Sequence, residues 1–181
     1  MMMMMMIMMT MIMMVVVIGR YPSICNNAIW SLGELVLRAG QDMAVYTEVI
    51  LPLLLSFNAQ TRLPPGIKDN STIAICRYCL MVPQAIGYVE NYIGMLCTNV
   101  ARLRYVNDDD DDNHHDNQVM DRDGDEKEQA TKGLCTIIHA RPDQLPNIFP
   151  AFMTMVASWY VRHLVLIDQF SPLGMQLAIW N

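Results

Sequence analysis

The sequence predicts an all-α fold in which helix pairs stack side by side as an α-solenoid. Three observations carry this. Apolar residues recur at helical rather than alternating spacing along most of the 181 residues. The segment Ser23 to Gly40, SICNNAIWSLGELVLRAG, aligns without gaps over Lys68 to Pro83 and again over Lys127 to Pro142, so that Leu32, Ile75 and Leu134 share one register position. Ser31, Ala74 and Gly133 share the next, as do Leu35, Tyr78 and Ile137, and then Trp30, Ile73 and Lys132. Each copy stops at a helix terminator: Gly40, Pro83 and Pro142. The first two copies are about 43 residues apart. Without an acidic run before the third, that period holds within the roughly 40–47 residues of a HEAT or armadillo array. About three HEAT repeats are therefore expected.

The chain opens on MMMMMMIMMTMIMMVVVIG, an uncharged apolar run long enough to span a bilayer. It has no basic leader and no small-residue cleavage site. Residues 1–20 form a Met-rich extension, read either as a membrane anchor or as a low-complexity segment in the place of a preceding outer helix. Residues 21–106 carry HEAT repeats. In the first inner helix the periodicity assigns Ala28, Ser31, Leu32, Leu35 and Ala39 to the core face. Trp30 falls on the other side with Asn26, Asn27 and Glu34, and an aromatic there is a candidate binding anchor.

The first outer helix is expected over Met43 to Gln60, with a buried stripe of Tyr46, Val49, Ile50, Leu53, Leu54 and Phe57 and a kink at Pro52. The link Arg62 to Gly66, RLPPG, cannot continue a helix, and Pro64 lies in it. Asp69 and Asn70 are read as caps of the next inner helix. Cys76 and Cys79 form a CxxC spacing, but they lie mid-helix with no strand nearby, so they are packing residues rather than a redox pair. The second outer helix runs from Ala85 to Tyr105, with Val89, Ile93, Leu96, Val100 and Leu103 buried and Arg102 and Arg104 at its C-terminal end.

Residues 107–125 form an acidic insertion, expected to be a self-repelling disordered loop. Asp108 to Glu128 carries a net −9 within a chain of net −6, leaving the remainder at +3. That balance excludes a nucleic-acid surface, which needs a basic patch. An EF-hand starting at Asp121 would place Glu126 and Lys132 at its sixth and twelfth positions, where Gly and Glu are required. His114 and His115 are adjacent with no further ligand at a useful spacing, so no metal site is expected. Residues 126–159 continue the repeats, with an inner helix to Ala140 and an outer helix over Leu145 to Trp159. Residues 160–181 form a divergent tail, helix-compatible up to Phe170 and broken at Ser171 and Pro172. His139 and His163 are isolated. Five cysteines, mostly within apolar helical pattern, point to buried free thiols in a reducing compartment.

The ordered set SICNNAIWSLGEL, Pro64, DNSTIAICR, VPQ, DEKEQATKGLCTII and VASW resembles the C-terminal part of the transportins, within the importin-β (karyopherin-β) family of nuclear import receptors. The resemblance covers about Ser23 to Trp159. It implies a role in nuclear import, with the concave face binding proline–tyrosine nuclear localisation signals of cargo proteins. It maps the apolar cargo contacts onto Trp30, Pro64 and Ile73, and a further one onto Pro22, where this chain departs from the family's apolar residue. It also implies residence in cytoplasm and nucleus. The small GTPase Ran is a partner in the full-length family, through repeats toward the N-terminus that lie outside the match. The acidic loop that couples Ran to cargo release belongs to an earlier repeat.

No nucleophile elbow, P-loop, dinucleotide fingerprint, zinc motif or paired carboxylates occur, so neither an enzyme nor a cofactor is expected. Two other readings remain open at this stage: a HEAT scaffold without cargo binding, and a helical protein anchored in a membrane by its Met-rich N-terminus.

Overall fold

The computed structural model describes residues 21–103 and 120–169, with side chains described for 21–103 and 126–159. The membrane-anchor reading of the N-terminal run, most of the acidic insertion and the last part of the tail lie outside them. The described elements are helices: α1 (Pro22–Ala39), α2 (Thr47–Ala59), α3 (Pro65–Met81), α4 (Ile86–Val89), α5 (Ile93–Arg102), α6 (Met120–Ala140) and α7 (Leu145–Gln169), with short 3-10 turns between several of them. α1 packs on α3 and α3 on α6, forming an inner row. α2 packs on α3, while α5 packs on α6 and on α7, forming an outer row. The result is an all-α solenoid of HEAT-like helices, in which outer α2 pairs with inner α3 and outer α5 with inner α6. Among the described residues no helix is long and apolar enough to cross a membrane.

The register alignment places its key position at the centre of the core, since Leu32, Ile75 and Leu134 are all buried. The close approach between inner helices is made by glycine. A Cβ on Gly133 would lie 2.5 Å from the Cys76 carbonyl carbon, so only a glycine lets α6 lie this close to α3. Cys76 and Cys79 are buried free thiols in mid-helix, as the packing reading requires. Cys25 and Cys97 are also buried, but Cys135 is exposed, because it falls one position beyond the Leu134 core register.

Four expectations about faces and boundaries are corrected. On α1 the buried face is Cys25, Ile29, Leu32, Gly33 and Val36, while Ser31 is exposed and Ala28, Leu35 and Ala39 are half-buried. The helix is rotated because its neighbour is α3 on one flank rather than an outer helix squarely behind it. On α2, Val49 is 56% exposed, and Leu51 and Leu55 complete the buried face with Ile50, Leu54 and Phe57. α3 starts at Pro65, inside the expected Arg62–Gly66 link: a proline at the first helical position is already set for helical φ, and Pro64 is the residue before the helix. Asp69 and Asn70 therefore lie inside α3 and cap nothing. α6 starts at Met120, so the end of the acidic insertion is helical rather than loop.

The second outer helix is divided into α4 and α5 by a 3-10 turn over Glu90–Tyr92. Its expected stripe is buried throughout: Val89, Ile93, Leu96, Val100 and Leu103. α7 runs on to Gln169, so the helix continues past Trp159 into the divergent tail.

Candidate functional site: the α1–α3 seam and its cavity

The side of α1 that carries Asn26, Trp30 and Glu34 is not a free polar surface. These residues are four apart, and each reaches toward α3 or beyond it. The Asn70 amide donates to the Asn26 side-chain oxygen at 3.0 Å. Glu34 Oε1 pairs with the buried Arg77 guanidinium at 3.0 Å. Between these two rungs, the Trp30 indole Nε1–H donates to Glu126 Oε1 of α6 at 2.6 Å. Arg77 also donates from Nε to Gln129 Oε1 at 2.8 Å, and its other arm lies 3.8 Å from the same Glu126 oxygen. One polar ladder thus ties α1, α3 and α6 together. A buried guanidinium survives only with such partners, since an unpaired one would carry an uncompensated desolvation cost.

Trp30 is half-buried. Ile73 lies between Asn70 and Arg77 on α3, hence at the level of Trp30 on the seam. It is 5% exposed, so the open apolar pair expected from periodicity is corrected to a partly buried indole and a nearly covered aliphatic. The cause is the ladder: both neighbours of Ile73 on its face are drawn onto α1 and α6. Lys132, the third residue of that register, is exposed and pairs with Glu128 one turn back on α6. Pro64 is exposed, and its carbonyl accepts the Ile67 amide at 3.1 Å. Pro22, the weakened edge, is exposed at the start of α1.

Beside this seam lies a cavity of about 580 Å³, where α3 begins, α5 ends and Glu126 and Lys127 of α6 pass. Ile73, Leu63, Pro65 and Leu103 give it apolar walls, and Lys68, Asp69, Arg102, Glu126 and Lys127 line the rest. Glu126 joins the two features, lining the cavity while holding the indole. Pro64 sits between two of the lining residues. Burial pushes the Asp69 carboxyl above its ordinary pKa, and the Arg102 charge opposes that shift. Lys127 is buried: its ammonium donates to the Leu103 carbonyl at 3.0 Å and to the Ser158 hydroxyl at 3.3 Å, and lies 6.0 Å from the centre of the Trp159 ring. The Trp159 indole donates to Thr131 at 3.0 Å. This second cluster fixes the α5–α6–α7 junction that forms the cavity's far wall.

Sequence reasoning placed Trp30 and Ile73 together but missed Glu126 and Arg77. The signal existed for Arg77, because Asn26–Asn70 and Glu34–Arg77 are each separated by one repeat period. Glu126 carried no such signal, since the inserted residues displace it from the period. His139 is exposed, and among the described residues no group of three His, Cys, Asp or Glu is placed to hold a metal ion. The His114–His115 pair lies outside them.

No family model matches the sequence. The chain is similar to Transportin-1 of Homo sapiens, 28% identical over 138 residues, which is 76% of this chain and 13% of that protein. It is similar to Transportin of Dictyostelium discoideum, 26% identical over 140 residues, covering 77% of this chain and 13% of the relative. It is also similar to Importin subunit beta-2 of Schizosaccharomyces pombe, 24% identical over 152 residues, covering 83% and 15%. The chain thus spans about one eighth of the length of the relatives it matches. Similarity to transportins and to importin β-2 over three quarters of the chain, on a framework of stacked HEAT-like pairs, makes this a transportin-like relative of the karyopherin-β proteins.

Proposed function

We propose that this chain is the cargo-contacting segment of a transportin-like nuclear import receptor, and that it takes an extended proline–tyrosine localisation signal along the α1–α3 seam. Trp30 is the anchor, Ile73 the floor beside it and Pro64 the flank at the start of α3. The observation that carries the reading is the Trp30 ring: a large aromatic on the α1–α3 seam that is only partly buried and is hydrogen-bonded to Glu126, a residue lining the neighbouring cavity. Cargo proteins are the partners, and the receptor works between cytoplasm and nucleus. Ran belongs to this reading through the longer relatives rather than through residues of this chain.

Because the ring is already partly buried, covering what remains contributes at most roughly 2 kcal/mol. That supports weak binding by this segment and strong binding only when several subsites are linked. The experiment is fluorescence anisotropy of a labelled signal peptide titrated with the full chain and with Trp30→Ala. The expected result is a loss of affinity of up to about thirtyfold at unchanged helicity. Superimposable curves for the two proteins would reject the reading.

A HEAT scaffold with no peptide site is the second reading, and the near-complete burial of Ile73 is what favours it. It requires that the unmodified chain show no saturable binding of the peptide at any concentration reached.

A further inference from the structure

Glu126 is three things at once. Its Oε1 accepts the Trp30 indole N–H at 2.6 Å across a separation of 96 residues. The same oxygen faces the Arg77 guanidinium at 3.8 Å, and Arg77 is held further by Gln129, also of α6, and by Glu34 of α1. Its side chain lines the cavity next to Ile73. The reach from α6 to α1, across the whole width of α3, depends on how near α6 approaches. Glu126, Ala130, Gly133 and Ile137 share one face of α6, and Gly133 sits against the backbone of Cys76 where no larger residue fits. The glycine contact therefore sets the distance that brings the carboxylate to the indole.

We infer that Glu126 is a positioning residue for the Trp30 anchor: its carboxylate fixes the rotation of the indole on the α1–α3 seam, so that α6 sets the binding competence of that seam. The inference rests on the cargo reading for its consequence, but not for its geometry. An indole N–H bound to a carboxylate is a charge-assisted donor, stronger than a neutral pair. It fixes the N–H edge of the ring. A ring held in advance spares the ligand the cost of immobilising it, which corresponds to about three- to tenfold in affinity for one large side chain.

The test uses the full chain with two substitutions. Glu126→Gln keeps an oxygen acceptor at the same reach, and Glu126→Met keeps length and removes the acceptor. The first readout is the Trp30 indole N–H resonance and its hydrogen exchange, assigned against Trp159 and Trp180 by Trp→Phe variants. The second is the affinity for the signal peptide. In Glu126→Met the resonance should shift toward that of a free indole, exchange should accelerate, and peptide affinity should fall about three- to tenfold. Glu126→Gln should restore most of both. An unmoved Trp30 resonance in Glu126→Met overturns the inference. So does a moved resonance with unchanged or tighter peptide binding, which would make the contact irrelevant or a restraint on the anchor. Absence of peptide binding by the unmodified chain sinks the cargo reading instead, and the indole resonance then decides whether Glu126 holds the ring.

Discussion

Gly133→Ala tests the packing that everything else depends on. A Cβ there would lie 2.5 Å from the Cys76 carbonyl carbon and 3.0 Å from its Cα. Both are backbone atoms of a helix, so no rotamer change relieves the overlap. Ordinary contact requires about 3.5 Å, and α6 and α3 would have to separate by roughly 1 Å along this seam. Overpacking of this kind costs about 1–3 kcal/mol, and a rigid neighbour places it at the upper end. Alanine returns up to about 1 kcal/mol through helix propensity. The net loss is about 2 kcal/mol, or roughly 4–8 °C in melting temperature for a chain of this size. The assay is urea denaturation followed by circular dichroism, with Gly87→Ala as control, because a Cβ on Gly87 meets nothing within 4 Å. The control should be neutral or slightly stabilising. A Gly133→Ala chain as stable as the parent would refute the close-approach argument, and with it the reason Glu126 reaches Trp30.

Four further outcomes follow from the same structure. Arg77→Met should destabilise the chain by about 2–3 kcal/mol in urea denaturation, less than a fully buried pair would lose because Glu34 and Glu126 retain some solvent. Asn99→Ala should cost about 1–3 kcal/mol, since Asn99 donates to Asn58 at 2.9 Å and to Thr72 at 3.2 Å in a buried cluster linking α2, α3 and α5. The buried thiols predict an alkaline loss of stability. Burial pushes Cys79 up to about 12 and Cys97 up to about 11, so above pH 9 the unfolded chain releases these protons and the folded chain keeps them. The stabilisation is complete below pH 9 and disappears as pH rises from there to about 12, by roughly 1 kcal/mol per pH unit for each thiol. Urea midpoints at pH 8 and pH 10 measure it, and Cys79→Ala should flatten the slope. In the native chain a thiol reagent at pH 8 should modify Cys135 rapidly and the four buried cysteines slowly.

The fold was legible because a repeat writes itself into sequence more than once. Leu32, Ile75 and Leu134 occupy equivalent buried positions, and aligning three copies averages away the ambiguity of any one helix. What periodicity could not assign is which flank of a helix meets its neighbour. A helical wheel separates apolar from polar, and it assigned Asn26, Trp30 and Glu34 to an open side. The structure uses that side as a seam, because short amides and an ion pair can close an interface as well as hydrocarbon can. For the same reason Trp30 was found and its partner was not: an exposed aromatic is visible in one helix, whereas Glu126 lies 96 residues away behind an insertion. Val49 illustrates the remaining limit, since an apolar stripe wider than the available neighbour leaves one edge in solvent.

The central claim is that an extended peptide lies on the seam beside Trp30. A signal peptide carrying a photoreactive residue in place of its tyrosine, cross-linked to the chain and mapped by mass spectrometry, tests it most directly. Adducts should concentrate on Trp30 and on the segment Leu63 to Asn70 that borders the cavity. Adducts gathered instead on the exposed outer residues Val45, Val49 and Phe149, or spread without preference, would contradict it.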